Sequence, residues 1–140
     1  MLRRMARYVV DPLGLLQIAS TGLRIHPDHQ LVAPNSVRSE SLSLLYDQVR
    51  RGELGEDEAL RLHDRLTETK MRLLGDRVSR RTAWRIAREH GWDGIGDAEY
   101  LAVTLLQADA LIALDEPLAR RANGIVPLAS LDALESPGGA

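Results

Sequence analysis

The sequence predicts an α/β fold, a three-layer α/β/α sandwich with a short, mostly parallel central sheet. Three observations carry that expectation. The runs Tyr8-Val9-Val10 and Ala110-Leu111-Ile112-Ala113-Leu114 are apolar at consecutive positions, and a strand without polar alternation is one covered on both faces. Between them lie stretches with helical spacing of apolar residues, flanked by helix start and stop signals, and short strands alternating with helices form parallel sheets. The 140 residues suffice for one hydrophobic core, so a single domain over residues 1–134 is expected, with 135–140 as a disordered tail.

The elements follow in order. Tyr8-Val9-Val10 reads as a strand stopped by Asp11-Pro12. A helix over Leu13 to Ala19 stops at Thr21-Gly22, and Leu31-Val32-Ala33 reads as a second strand ended by Pro34. Asn35 or Ser36 caps a helix to about Arg51, where Gly52 closes it. An amphipathic helix runs from Glu56 to Leu74, its acidic start suiting the helix dipole. Ser79 caps a further helix that turns Ala83, Trp84 and Ala87 inward and ends at His90-Gly91. The next helix starts near Asp97 and ends around Gln107, ahead of the apolar strand that Asp115 stops. Pro117 opens a short helix closed by Asn123-Gly124, and Ile125-Val126 begins an edge strand.

Composition excludes several chemistries. There is no cysteine, which removes disulfides, thiolate metal sites and thiol nucleophiles together. Any metal would use oxygen or imidazole ligands. The net charge of −2 argues against nucleic-acid binding by bulk electrostatics alone. The basic residues Met1 to Arg7 lead into an apolar run, but Asp11 interrupts it, so a signal peptide is rejected and a cytoplasmic protein without membrane spans is expected. Met5 lies just before the first strand, leaving Met1 to Arg4 as a loose extension.

Two apolar strands end in aspartate, Asp11 and Asp115. In an open parallel sheet ligands bind beyond the carboxyl ends of the strands. Each aspartate alone reads as readily as a turn or helix cap. Glu40 shares a helical stripe with Val37, Leu44 and Leu45, and a carboxylate facing inward needs a partner; the plainer account is a half-exposed first-turn acid paired with Arg38 or a neighbour. Asp97 opens a helix and reads equally as an N-cap. Were the four to converge they would repel, by about 4 kcal/mol per pair at about 4 Å and an effective dielectric near 20. A divalent cation resolves that conflict, and all-oxygen ligation is the pattern of magnesium or manganese. Such chemistry fits phosphodiester hydrolysis.

These residues resemble the PIN-domain nucleases, particularly the toxins of bacterial VapBC toxin-antitoxin pairs. The resemblance runs from Tyr8 to about Leu134. It rests on Tyr8-Val9-Val10-Asp11, on Glu40 after Val32-Ala33-Pro34, on Arg50-Arg51-Gly52-Glu53-Leu54, on Gly96-Asp97-Ala98-Glu99-Tyr100-Leu101-Ala102, and on the segment Leu111 to Ala119 that contains Asp115. It implies a metal-dependent endoribonuclease with Asp11, Glu40, Asp97 and Asp115 as the acidic cluster. Asp11, Asp97 and Asp115 would hold Mg2+ or Mn2+, and Glu40 would help hold it or position the attacking water. In-line attack of that water would leave a 5′-phosphate and a 3′-hydroxyl. The resemblance also implies a homodimer and a small cognate antitoxin. The chain departs from the family where Gly96 replaces an aromatic residue before the third acid and Ala113 replaces a hydroxyl residue two positions before the fourth.

Other residues have two readings. Glu116 is a candidate auxiliary ligand or a first-turn helix acid. Arg81, Arg85 and Arg88 share one helix side and read as RNA-phosphate contacts or as a solvated face. Trp92 could stack on a base or anchor its loop. His26, His29, His63 and His90 read as surface residues. A receiver-type phosphoacceptor is rejected because the only lysine, Lys70, lies in mid-helix, and a haloacid-dehalogenase phosphatase because Leu13 stands where a second aspartate is needed. The alternative function is a PIN-like protein-interaction module with a weak or inactive metal site.

Overall fold

A computed structural model describes residues 5–138; the expected extension at Met1 to Arg4 and the last two tail residues lie outside them. Four strands form one sheet, β1 (Ala6–Val10), β2 (His29–Pro34), β3 (Arg72–Leu74) and β4 (Ala110–Ile112), in the order β3-β2-β1-β4. All three pairings are parallel, with Val9 beside Val32 and Leu111, and Val10 beside Ile112. The helices are α1 (Pro12–Thr21), α2 (Val37–Arg50), α3 (Glu56–Glu68), α4 (Arg77–His90), α5 (Gly96–Gln107) and α6 (Glu116–Ala122), followed by a 3-10 turn at Leu131–Leu134. Helix α5 lies across β1, β2 and β4 with α4 against it, while α1, α2 and α3 pack on one another. The three-layer α/β/α sandwich follows, with Val9, Val10, Val32, Ala33, Leu111 and Ile112 buried in the middle layer.

Several local expectations are corrected. The amphipathic helix stops at Glu68, because Thr69 turns to extended backbone with ψ 120°, and Arg72 to Leu74 pair with Val32 to Pro34 as the edge strand β3. Lys70 therefore sits in the connection ahead of β3 rather than in mid-helix. Asp76, not Ser79, caps α4: its Oδ1 accepts from the Ser79 amide at 2.8 Å. That sets the helix phase so that Ile86 is buried and Trp84 is 65% exposed. The sheet edge beside β4 is made by a single bridge between Leu111 and Leu128, where Leu111 donates to the Pro127 carbonyl at 2.9 Å, rather than by a strand from Ile125. The described part of the tail is tied down. His29 Nε2 meets the Ser136 carbonyl at 2.5 Å and the Gly138 amide donates to Asp28 at 3.1 Å. His29 is thus half-buried rather than a surface residue.

Candidate active site

Asp11 stands at the carboxyl end of β1 and is fully buried. Its amide continues the sheet by donating to the Ile112 carbonyl at 3.2 Å. Its side chain then does two things. Oδ1 accepts from the Gly14 amide at 2.8 Å and so caps α1, whose first residue is Pro12. Oδ2 accepts from the Asp115 amide at 2.8 Å, fastening the start of α6 to the start of α1. Gly14 is required at this junction, since a β-carbon there would lie 2.6 Å from Val10 Cγ2 and 2.9 Å from Asp11 Oδ1. Burial pushes the Asp11 carboxyl above its ordinary value; the amides of Asp115, Gly14 and Leu114 work against that rise, and the nearby Asp115 charge adds to it.

Asp115 is itself the cap of α6, accepting from the Leu118 amide at 3.1 Å. The cap readings of Asp11 and Asp115 are therefore correct, and both residues also line one cleft. The strand before Asp115 ends at Ile112, so the aspartate follows a short turn rather than the strand itself.

Glu40 lies in the first turn of α2 and reaches neither Arg38 nor any other cation among the described residues; Arg38 instead donates to the Thr69 carbonyl at 3.2 Å. Two hydroxyls hold Glu40 Oε1, Ser36 at 2.6 Å and Tyr100 at 3.1 Å. Tyr100 is buried on α5, and its phenol is strongly raised by that burial and then by the Glu40 charge, so it stays a hydrogen-bond donor.

Asp97 is not the cap of α5, a position taken by Ile95; it sits in the first turn. Its Oδ2 accepts from Arg121 at 3.1 Å, and the same guanidinium lies 4.8 Å over the Trp92 ring.

All four carboxylates, with Tyr100, line a single cleft of about 340 Å³ at the carboxyl ends of the strands. They are not drawn into a ready-made cage: among the described residues no three acidic or histidine side chains approach closely enough to hold a metal ion. The geometry accounts for this, because Asp11 and Asp115 spend oxygens on backbone amides and Asp97 is held by Arg121. The donor set nevertheless fits a hard divalent cation: oxygen ligands alone, more negative than positive charge, and a carboxylate buried at the cleft floor. Asp11, Asp97 and Asp115 line the cleft from three elements and would be the residues to close on such an ion.

The auxiliary candidate Glu116 does not join them. It points outward, 82% exposed, and pairs with Arg120 at 3.2 Å. Arg81, Arg85 and Arg88 are exposed on α4, away from the cleft lining, and Arg85 pairs with Glu89 at 3.9 Å. Ser36, Tyr100 and Arg121 are additions that the sequence reading missed. Ser36 lies four residues before Glu40 and Tyr100 three after Asp97, spacings that place each pair on one helical face. Arg121 comes from 24 residues beyond Asp97 and carries no local signal.

No family model matches the chain, and no curated protein matches it significantly. Among solved structures it is similar to the crystal structure of PAE2754 from Pyrobaculum aerophilum, with a TM-score of 0.73 and 22% identity over 94% of this chain and 93% of that one. That likeness concerns the fold.

Proposed function

We propose that this protein is a metal-dependent endoribonuclease that hydrolyses RNA phosphodiester bonds with Mg2+ or Mn2+. The observation that carries the reading is the meeting of Asp11, Glu40, Asp97 and Asp115 along one cleft at the carboxyl ends of the parallel strands, where open α/β sheets bind their ligands. A bound divalent cation supplies charge neutralisation and polarises a phosphoryl oxygen. The chain's own residues supply the rest. Asp11 is fixed by two amides and anchors the floor. Asp97 and Asp115 approach from α5 and α6. Ser36 and Tyr100 both occupy Glu40 Oε1, so Oε2 is the atom left to orient the attacking water and accept its proton. A role as the toxin of a toxin-antitoxin pair, with a small antitoxin and a homodimeric state, belongs to the same proposal and rests on sequence resemblance. No helix among the described residues is long and apolar enough to cross a membrane.

A second reading, a PIN-like interaction module with a weak or inactive site, is favoured by the Asp97–Arg121 ion pair and the lack of three converged ligands among the described residues. Cleavage of a defined RNA panel with and without Mn2+, beside Asp97→Asn, separates the two. The nuclease reading expects cleavage that needs the ion and disappears in the variant. Equal cleavage by both proteins, or none by either, would sink it.

A further inference from the structure

A second cavity, of about 500 Å³, opens at the opposite end of the sheet. It lies where β1, β2 and β3 begin: Met5 precedes β1, His29 and Gln30 open β2, and Lys70 and Met71 lead into Arg72 of β3. Its polar lining consists of His26, His29, Gln30, Lys70 and Arg72, with no acidic side chain among them. Lys70 and Arg72 are exposed and form no ion pair among the described residues. The nearest acid along the chain, Asp28, lies 3.6 Å from His26 Nδ1 and accepts from the Gly138 amide.

His29 lies on the wall of this cavity. A carbonyl can only accept, so the contact with Ser136 makes Nε2 the protonated nitrogen of the neutral ring. Nδ1 is buried, with no hydrogen-bond partner among the described residues, so it is closed to the cavity and the ring presents its other atoms to the wall. The ring is held in place by an edge contact with Tyr8 at 5.3 Å between centroids.

We propose that this cavity binds a phosphomonoester of nucleotide size. A phosphate monoester carries a charge of about −1.5 to −2 at pH 7, where a carboxylate carries a single one. Its oxygens are available to Lys70 and Arg72, two cations that a singly charged carboxylate matches less well. Ile25, Leu31 and Met71 form the apolar wall against which a nucleoside packs, and the volume is within the usual range for small-ligand sites. The site is independent of the carboxylate cleft and of the nuclease reading.

The test is an NMR titration of the full chain, free of divalent ions, following the His29 ring signal assigned through His29→Gln. AMP, inorganic phosphate, adenosine and sodium acetate are the four probes. AMP is expected to shift the signal saturably, inorganic phosphate to do so more weakly, and adenosine and acetate to leave it unmoved. The double variant Lys70→Gln/Arg72→Gln, whose altered side chains are exposed and whose folding is checked by circular dichroism, is expected to bind AMP at least about tenfold more weakly, as loss of charge-assisted hydrogen bonds predicts. No shift with AMP, or equal AMP affinity in the double variant, overturns the site. Equal response to acetate overturns its phosphate selectivity, and equal affinity for inorganic phosphate overturns the nucleotide-sized part.

Discussion

Replacing Arg121 by glutamine should move stability and metal affinity in opposite directions. The guanidinium makes two contacts, 3.1 Å to Asp97 Oδ2 and 4.8 Å to the Trp92 ring. Opposite charges about 4 Å apart attract by about 4 kcal/mol at an effective dielectric near 20. Both partners remain partly exposed, 39% for Arg121 and 33% for Asp97, and such pairs contribute only about 0.2–1 kcal/mol once solvent and side-chain entropy are counted. The ring contact adds about 0.5–1 kcal/mol. Loss of both should lower stability by about 1 kcal/mol, or Tm by about 3 °C in a chain of this size. With Mn2+ the sign reverses. In the wild type the ion must displace Arg121 from Asp97; without that competitor, the ion pair's contribution of about 0.2–1 kcal/mol returns to ion binding, a gain of up to about fivefold in affinity. Calorimetric melting without ion and Mn2+ titration followed by electron paramagnetic resonance read the two effects separately. An unchanged Tm would remove the stabilising role of the pair. Unchanged or weaker Mn2+ affinity would refute the competition between Arg121 and the ion for Asp97.

Three further perturbations probe the surroundings. Tyr100→Phe should lower Tm by about 5 °C, from about 1.5 kcal/mol for a hydrogen bond to a charged group that Ser36 still supports, and should reduce the cleavage kcat with little change in KM; wild-type kcat would show that Glu40 needs no second hydroxyl. Gly14→Ala forces a β-carbon against Val10 and Asp11 and should cost about 1–3 kcal/mol by urea denaturation, a value near zero meaning that the β1–α1 junction yields. Asp76 is held below the ordinary carboxyl value of 3.8 by the Ser79 amide and hydroxyl. Its contribution is therefore present above that value and is lost as pH falls through the depressed one. Asp76→Asn keeps a good cap and should match the wild type near pH 7 while losing less stability on acidification; identical acid-unfolding curves would contradict this.

The buried layers were legible in the sequence because consecutive apolar residues leave a strand no solvent face, as at Val9-Val10 and Leu111-Ile112. Strand β3 was not. Arg72-Leu73-Leu74 continues the leucine spacing of α3, and only the pairing with β2 makes it extended. The outward turn of Trp84 was likewise hidden until Asp76 fixed the phase of α4. At the site, Asp11 and Asp115 stood out because each closes an apolar run. Glu40 and Asp97 were nameable through family resemblance, but their partners were not: Tyr100 meets Glu40 across 60 residues and Arg121 meets Asp97 across 24. Contacts between elements leave no periodic trace in either segment.

The proposed nuclease requires these carboxylates to hold one divalent cation in common. Mn2+ titration of the wild type beside Asp97→Asn/Asp115→Asn measures it, with folding of both confirmed by circular dichroism. A saturable site is expected in the wild type and is lost in the double variant. Absence of that site in the wild type, or equal binding by the variant, would contradict it.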